Sequence, residues 1–364
     1  YGLVGSEMCI RDSAGGGTGG HLFPGMAIAE AFIEREVGNE VLFIGTKRGI
    51  EVKVLVNERF PLRTIRVRPL KGRSLLDKVK AIWDIPMAVS EALSILKEFR
   101  PNLVLGVGGY ASGPAILAAF FLRMKRAIHE QNVVPGMTNR ILRKFSQRIF
   151  VSFEETKKYF PKKKTVVTGN PVRREIVQVK REIEDRFIIL VFGGSAGAHR
   201  INQAMIEALD LLQEIKSSVK LIHQTGEEDF DFVLKAYQEQ GFDAFVKPFF
   251  SEMATLYRVA DLVICRSGAS TVAELAVCGK AAILIPYPYA AHNHQFINAK
   301  QLTDAGAARM IRDEELNGRS LAQVILSLYE HPETRIRMEE AIRQFGRPEA
   351  AQAIVDHCYA LIGG

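Results

Sequence analysis

AGGGTGGHLFPG, residues 14–25, decides how the rest of the chain is read. Five of the six residues at 15–20 are glycine. Glycine inside a strand or helix costs backbone entropy and packs nothing, so the run suits a tight turn where main chain approaches another group closely. MAIAEAF at 26–32 then carries apolar residues at helical spacing, and Pro24 stands where a first-turn proline is tolerated. The reading is a glycine turn feeding a helix N-terminus, a ready site for anionic or polar oxygens. Gly15, Gly17 and Gly20 also satisfy the dinucleotide spacing G-x-G-x-x-G. That signature expects an acid after the second strand, whereas VLFIGT at 41–46 runs into Lys47 and Arg48. NAD therefore falls to a minority reading. His21 closes the turn with few side-chain neighbours among the glycines. That favours a functional role over a helix-start histidine that hydrogen-bonds the turn.

Outward from that turn, strands alternate with helices. Strand candidates are 41–46, 62–67, 103–107, 126–129, 149–152 and 166–168, a pattern that predicts a parallel, doubly wound α/β sheet. GNPVRREI (169–176), followed by the charged KREIEDR (180–186), reads as a linker. The pattern then restarts with FIILVF (187–192), a second glycine turn GGSAGA (193–198) and a helix from about Asn202. Further strands are 220–223, 244–246, 262–265 and 282–285. The expected division is a first domain at 14–168, a linker at 169–186, a second domain at 187–338 and a helical tail at 339–364 that packs back on the first domain. Upstream, YGLVGSEMCIRDS (1–13) places Glu7, Arg11 and Asp12 where such a turn expects a buried apolar strand. The segment reads as a leader foreign to the fold, standing where the first strand belongs.

A chain of 364 residues that is 47% hydrophobic and 24% charged has the composition of a soluble globular protein with two domains of ordinary size. Cys9, Cys265, Cys278 and Cys358 show neither paired nor metal-like spacing, which points to a reducing cytoplasm and no metal site. No apolar run approaches the roughly 20 residues that span a bilayer. A net charge of +7 suits an anionic partner: a phosphate-bearing substrate, acidic lipid or nucleic acid. The basic residues are dispersed without interleaved aromatics, which ranks nucleic acid last. Two stretches join apolar and basic residues. In LKGRSLLDKVKAIWDIP (70–86), Leu75, Leu76, Val79, Ile82 and Trp83 recur at helical spacing among Lys71, Arg73, Lys78 and Lys80. In AILAAFFLRMKR (115–126), an apolar run ends in Arg123, Lys125 and Arg126. The first is divided between core packing and an interfacial membrane surface; the second reads as core.

Four further clusters sit at strand ends, where ligands bind in such sheets. GVGGYASGP (106–114) is another glycine loop opening a helix, with Gly108, Gly109 and Tyr110 at its tip. HEQN (129–132) ends a strand with four polar side chains, either to meet a ligand or to tie loops together. CRSGASTVAEL (265–275) is a strand end, a glycine turn and a helix start. Its amides and the Ser270 and Thr271 hydroxyls suit a diphosphate and Glu274 a ribose diol, unless Ser270 and Glu274 merely form a cap. HNHQ (292–295) opens a helix after PYPYAA.

GGGTGGHLFPG, GVGGYASGP, HEQN, TGNPVR, GGSAGA, SGASTVAE and HNHQ, in this order and spacing, resemble the MurG family. These bacterial transferases add N-acetylglucosamine to lipid I to make lipid II in peptidoglycan synthesis. The resemblance runs from Ala14 to the C-terminus. It implies a GT-B fold, two facing Rossmann-like doubly wound sheets with an interdomain cleft. It also implies a peripheral enzyme on the cytoplasmic face of the cell membrane that meets an anionic surface there, with UDP-N-acetylglucosamine as donor, lipid I (undecaprenyl-pyrophosphoryl-MurNAc-pentapeptide) as acceptor, and neither metal nor cofactor. Carried over by motif, the donor contacts are Thr18, Gly19, Gly20, Asn132, Arg173, Ser195, Phe250, Ala269, Ser270, Thr271, Val272, Ala273, Glu274 and Gln295. Gly108, Gly109, Tyr110, His129 and Glu130 fall on the acceptor side. Ala196 stands where some members carry glutamine, and the family's first strand is missing from the sequence. Inverting transfer needs a base for the acceptor hydroxyl, and His21 is the candidate. It also needs a hold on the leaving diphosphate, supplied by helix N-termini at Ser195 and at Ser270 and Thr271, with charge from Arg173. A related enzyme with another acceptor, an epimerase acting on the same donor, and an inactive sugar-nucleotide binding module are the alternatives.

Overall fold

VLFIGT, LVLG, RIFV and FIILVF are near-continuous apolar runs, the pattern of strands covered on both faces by helices. Each forms a strand of a parallel sheet in the computed structural model. The structure describes residues 8–11, 20–46, 60–67, 75–194 and 196–363, of which 8–11, 75–84, 110 and 291 are described in backbone only. In chain order the elements are β1 (Met8–Arg11), α1 (Leu22–Arg35), β2 (Val41–Thr46), β3 (Leu62–Ile65), α2 (Leu75–Phe99), β4 (Leu103–Gly106), α3 (Gly109–Phe121), β5 (Lys125–Glu130), α4 (Met137–Leu142), β6 (Arg148–Val151) and β7 (Thr165–Val167). Then come α5 (Arg174–Val177), β8 (Phe187–Phe192), α6 (His199–Ala208), β9 (Val219–Gln224), α7 (Phe230–Gln240), β10 (Ala244–Lys247), α8 (Met253–Val259), β11 (Leu262–Cys265), α9 (Ala269–Cys278) and β12 (Ala282–Leu284). The chain ends with α10 (His294–Asp304), β13 (Arg309–Met310), α11 (Gly318–Glu330), α12 (Pro332–Arg343) and α13 (Ala350–Gly363). The chain divides into one unit of Tyr1–Arg173 with Pro348–Gly364 and another of Arg174–Arg347.

The first unit holds a sheet in the order β3-β2-β1-β4-β5-β6-β7 and the second one in the order β10-β9-β8-β11-β12-β13. All described pairings are parallel. Strand order reverses between β1 and β4 in the first and between β8 and β11 in the second. Such switch points open a crevice at the carboxyl ends of the strands. Gly20, His21 and the loop from Val107 flank the first, and Gly193, Gly194 and RSG flank the second.

The sequence reading finds no apolar first strand before the glycine turn, whereas in the structure Met8–Arg11 pairs as a strand in that place. Met8–Arg11 lies in the centre of its sheet, Met8 and Cys9 opposite both Val41, Leu42 and Leu103, Val104. A four-residue strand hydrogen-bonded through its backbone on both sides needs only the short run Met8, Cys9 and Ile10, so flanking charges do not forbid it. Three smaller corrections follow. The stretch read as linker contains α5, α6 begins at His199, and Arg309–Met310 adds an unanticipated edge strand.

In the first unit Ala88, Ala92 and Leu96, four apart, bury one face of α2 in a cluster with Ala115, Ile116 and Ala119 of α3. The apolar run at 115–126 is core as far as Ala119, whereas Phe120 and Phe121 are 39% and 64% exposed. On the other face of the sheet α13 packs on α1: Ala351, Ile354, Val355 and Cys358 share a cluster with Ile28 and Phe32. Asn39 donates to the Tyr359 hydroxyl (2.7 Å), and the Tyr359 ring stacks on Phe32 at 5.8 Å. In the second unit α6, α7, α11 and α12 cover the sheet, with Met338 of α12 in the same core as Leu321 and Ile325.

Candidate active site

At the first switch point the loop after β4 lies directly on the His21 ring. Gly108 has φ +103°, and a Cβ there would fall 2.8 Å from His21 Cε1 and Nδ1, so only glycine permits the approach. Although His21 is the N-cap of α1, its side chain makes no capping hydrogen bond. Its Nδ1 instead faces Gln131 Oε1 at 3.2 Å. The buried Gln131 spends its Nε2 on the Val107 carbonyl (2.6 Å), so its oxygen must be the atom presented to the imidazole. Nδ1 of His21 then carries the proton and Nε2 the lone pair. Burial lowers the His21 pKa, against the Glu130 charge and the hydrogen bonds to Gln131 and Val107, which raise it. The base form is the one present at neutral pH.

His129, fully buried, places Nε2 3.2 Å from the Gly169 carbonyl, and burial pushes its pKa down to about 4. Neutral His129 donates from Nε2 and holds the start of the GNPVR segment. Glu130 is also buried, and both its carboxylate oxygens are engaged by its own loop. One carboxylate oxygen accepts from the Asn132 backbone and side chain (3.0 and 3.2 Å), the other from the Gly136 backbone and Asn139 Nδ2 (3.1 and 2.8 Å). Four donors converge on it, so it ties together the loop after β5. Asn132 thus stands at a fixed position beside β5. Arg173 sets its guanidinium over the Phe23 ring of α1 at 4.5 Å. Ser112 hydroxyl bonds back to the Gly108 carbonyl and braces that loop.

At the second switch point the turn after β8 crosses the loop after β9. Gly194 and Gly197 have φ +104° and +79°, and a Cβ on Gly197 would lie 2.0 Å from the Thr225 carbonyl oxygen. Gln224 donates from Nε2 to Gly194 O (2.9 Å) and accepts from Phe250 N (2.8 Å), so one side chain joins the glycine turn to Phe250. Helix α9 starts on Gly268 without a side-chain cap, which removes the reading of Ser270 and Glu274 as a capping pair. Ser270 and Thr271 sit in its first turn among amides that have no helical partner. Glu274, one turn on, accepts from the Tyr257 hydroxyl at 3.0 Å. Gln295 at the start of α10 accepts from Tyr287 N (2.9 Å), and its own carbonyl accepts from Ser267 Oγ (2.9 Å). Among the described residues no three His, Cys, Asp or Glu side chains group as a metal site would require.

Each half thus gathers polar groups at a switch point. The glycosyltransferase family 28 N-terminal domain matches residues 13–151 and its C-terminal domain residues 188–354. The crystal structure of MurG from Acinetobacter baumannii superposes with a TM-score of 0.78 at 30% identity, covering 98% of this chain and 99% of that one. A relative from Myxococcus xanthus is 48% identical over 352 residues, 96% of this chain and 92% of its own. Its name is UDP-N-acetylglucosamine--N-acetylmuramyl-(pentapeptide) pyrophosphoryl-undecaprenol N-acetylglucosamine transferase. The chain belongs to the MurG family. A UDP-GlcNAc 2-epimerase from Neisseria meningitidis, with a TM-score of 0.68 at 15% identity, shares the fold alone.

Of the residues carried over from the MurG family, His21, Gly108, Gln131's neighbours His129 and Glu130, and Arg173 gather in the first unit. The Gly194 turn, Phe250, the run 269–274 and Gln295 gather in the second. Thr18, Gly19 and Ser195 lie outside the described residues, and Tyr110 is described in backbone only. Gln131, Gln224 and Tyr257 were not singled out by the sequence reading. Gln131 lies inside HEQN and Gln224 directly follows a predicted strand, so both carried a positional signal. Tyr257, in LYRVA, carried none.

Proposed function

We infer that this chain transfers N-acetylglucosamine from UDP-N-acetylglucosamine to the muramoyl 4-hydroxyl of lipid I, giving lipid II with inversion at the anomeric carbon. The observation that carries the catalytic part is the 3.2 Å contact of His21 Nδ1 with Gln131 Oε1. Gln131 holds Nδ1–H, which leaves Nε2 to take the proton of the attacking hydroxyl. Negative charge grows on the diphosphate as the glycosidic bond to UDP breaks. The amides and hydroxyls at the start of α9, Ser195, and Arg173 offset it. Glu274 takes the ribose diol and Phe250 borders the base. Gly108, Gly109, Tyr110 and His129 shape the acceptor side, and Glu130 keeps the Asn132 loop in place.

The acceptor's lipid stays in a bilayer, so the enzyme works at a membrane surface as a peripheral protein. Among the described residues no helix is long and apolar enough to cross one. The proposed contact face joins the amphipathic start of α2 to Phe120 and Phe121, beside Arg123 and Arg126; Arg126 sits over the Phe120 ring at 5.0 Å. Lys71 and Arg73 belong to this proposal and lie outside the described residues. Incubation with UDP-N-acetylglucosamine and a lipid I analogue tests the reading. Lipid II formation is expected. Release of UDP without acceptor, or binding without turnover, would overturn it in favour of donor cleavage or a binding module.

A further inference from the structure

Tyr257 is a fully buried phenol on α8 with no place in the chemistry described so far. A tyrosine hydroxyl in a core is costly unless it finds a partner. Here the partner is the carboxylate of Glu274, at 3.0 Å. Burial, and after it the Glu274 charge, raises the phenol's pKa well above its ordinary value, so it remains a donor. The ring is held in turn: Phe192, the last residue of β8 before the glycine turn, meets it edge-on at 6.4 Å and 74°. Cys265 and Cys278 flank the pair as neutral thiols, Cys265 pushed far up by burial and Cys278 to about 12.

We propose that Tyr257 is a positioning residue for the donor, aiming the Glu274 carboxylate at the nucleotide ribose through a hydrogen bond to one of its oxygens. This rests on the reading of Glu274 as the ribose contact. A glutamate side chain has three rotatable torsions, and a free one would spend much of its time turned away from the diol. With Oε2 held by the phenol, the carboxylate is oriented before the nucleotide arrives, which lowers the ordering cost of binding. Because Phe192 precedes the turn at 193–198, the same ring ties the ribose contact to the diphosphate turn.

The test is the ratio of dissociation constants for 2′,3′-dideoxy-UDP and UDP, measured by calorimetric titration on the full chain. That ratio isolates the diol, since a general loosening of the site weakens both ligands alike. In Tyr257→Phe the ratio should fall roughly fivefold to tenfold, the yield of one hydrogen bond to a charged group. kcat at saturating donor should stay near wild type while the donor KM rises. In Glu274→Gln the ratio should approach one. If Tyr257→Phe fails to fold, Tyr257→Met removes the same hydroxyl and serves the same comparison. Equal weakening of both nucleotides by the tyrosine variant makes Tyr257 a packing residue and overturns the proposal, with Glu274 still the ribose contact. An unchanged ratio in Glu274→Gln removes the ribose reading itself, and the proposal with it.

Discussion

Gln131→Leu should slow transfer without touching either substrate. The substitution keeps the side chain's bulk and removes both hydrogen bonds that orient the His21 imidazole: the 3.2 Å contact to Nδ1 and the 2.6 Å bond to Val107 O. One neutral hydrogen bond contributes about 1 kcal/mol net, so the productive tautomer and orientation should become about fivefold scarcer, and kcat should fall by about that factor. The Val107 carbonyl loses a buried partner as well, which should cost stability of about 1–3 kcal/mol. The sharper readout is the pH profile. The hydrogen bond to Gln131 raises the His21 pKa, so its loss lowers that pKa further. A base is active when unprotonated, so the acid limb of kcat/KM should move to lower pH. Steady-state kinetics with a lipid I analogue between pH 5 and 9, beside thermal melts, measures all three. A variant with wild-type kcat and an unmoved acid limb would refute the assignment of Nδ1–H to Gln131, and with it Nε2 as the base.

His21→Ala should lower turnover by about 10²–10⁴-fold with donor affinity little changed; near-wild-type turnover at saturating substrate removes it from the mechanism. Stability should fall in mild acid. His129 and His223 are buried and neutral, with pKa values lowered to about 4 and about 3 by burial. Each takes up a proton on unfolding near its ordinary 6.5, so stability is full above that pH and drains away as pH falls from 6.5 toward 4 and 3. For His129 alone the loss is on the order of 3 kcal/mol, and a melting temperature flat from pH 7.5 to 5 counts against it. Changing Lys71, Arg73, Lys78 and Lys80 together to glutamine should cut co-sedimentation with acidic vesicles, each charge being worth on the order of 1 kcal/mol at low salt. Unchanged, salt-independent binding places the membrane face elsewhere.

Most strands were legible because a parallel strand buried on both faces must be apolar along its length, as FIILVF and LVLG are. The site motifs were legible for a related reason. Glycine runs such as GGSAGA mark places where backbone must cross backbone, and the 2.0 Å that a Cβ on Gly197 would leave to Thr225 O shows the crossing. Met8–Arg11 was illegible because its place is fixed by hydrogen bonds to strands more than 30 and 90 residues away, which no local pattern records. Glu130 shows a related ambiguity. A carboxylate at a strand end looks the same whether it faces a ligand or, as here, four donors of its own loop. Tyr257 was invisible because its hydroxyl's partner lies seventeen residues on, in another helix.

The seating of α13 on α1 bears on how the chain comes off the ribosome. Ile354, Val355 and Cys358 fill the same cluster as Ile28 and Phe32, at the other end of the chain. The segment Arg174–Arg347 is contiguous, so the second unit has every residue of its core in hand before the first does. The first unit is begun earliest and closed last. Until the final helix is made, the apolar face of α1 stays uncovered during synthesis, a window in which the nascent chain is open to aggregation and to chaperones. A stop codon near Pro348 would therefore remove the closing piece of the opening unit's core, with consequences out of proportion to the seventeen residues lost.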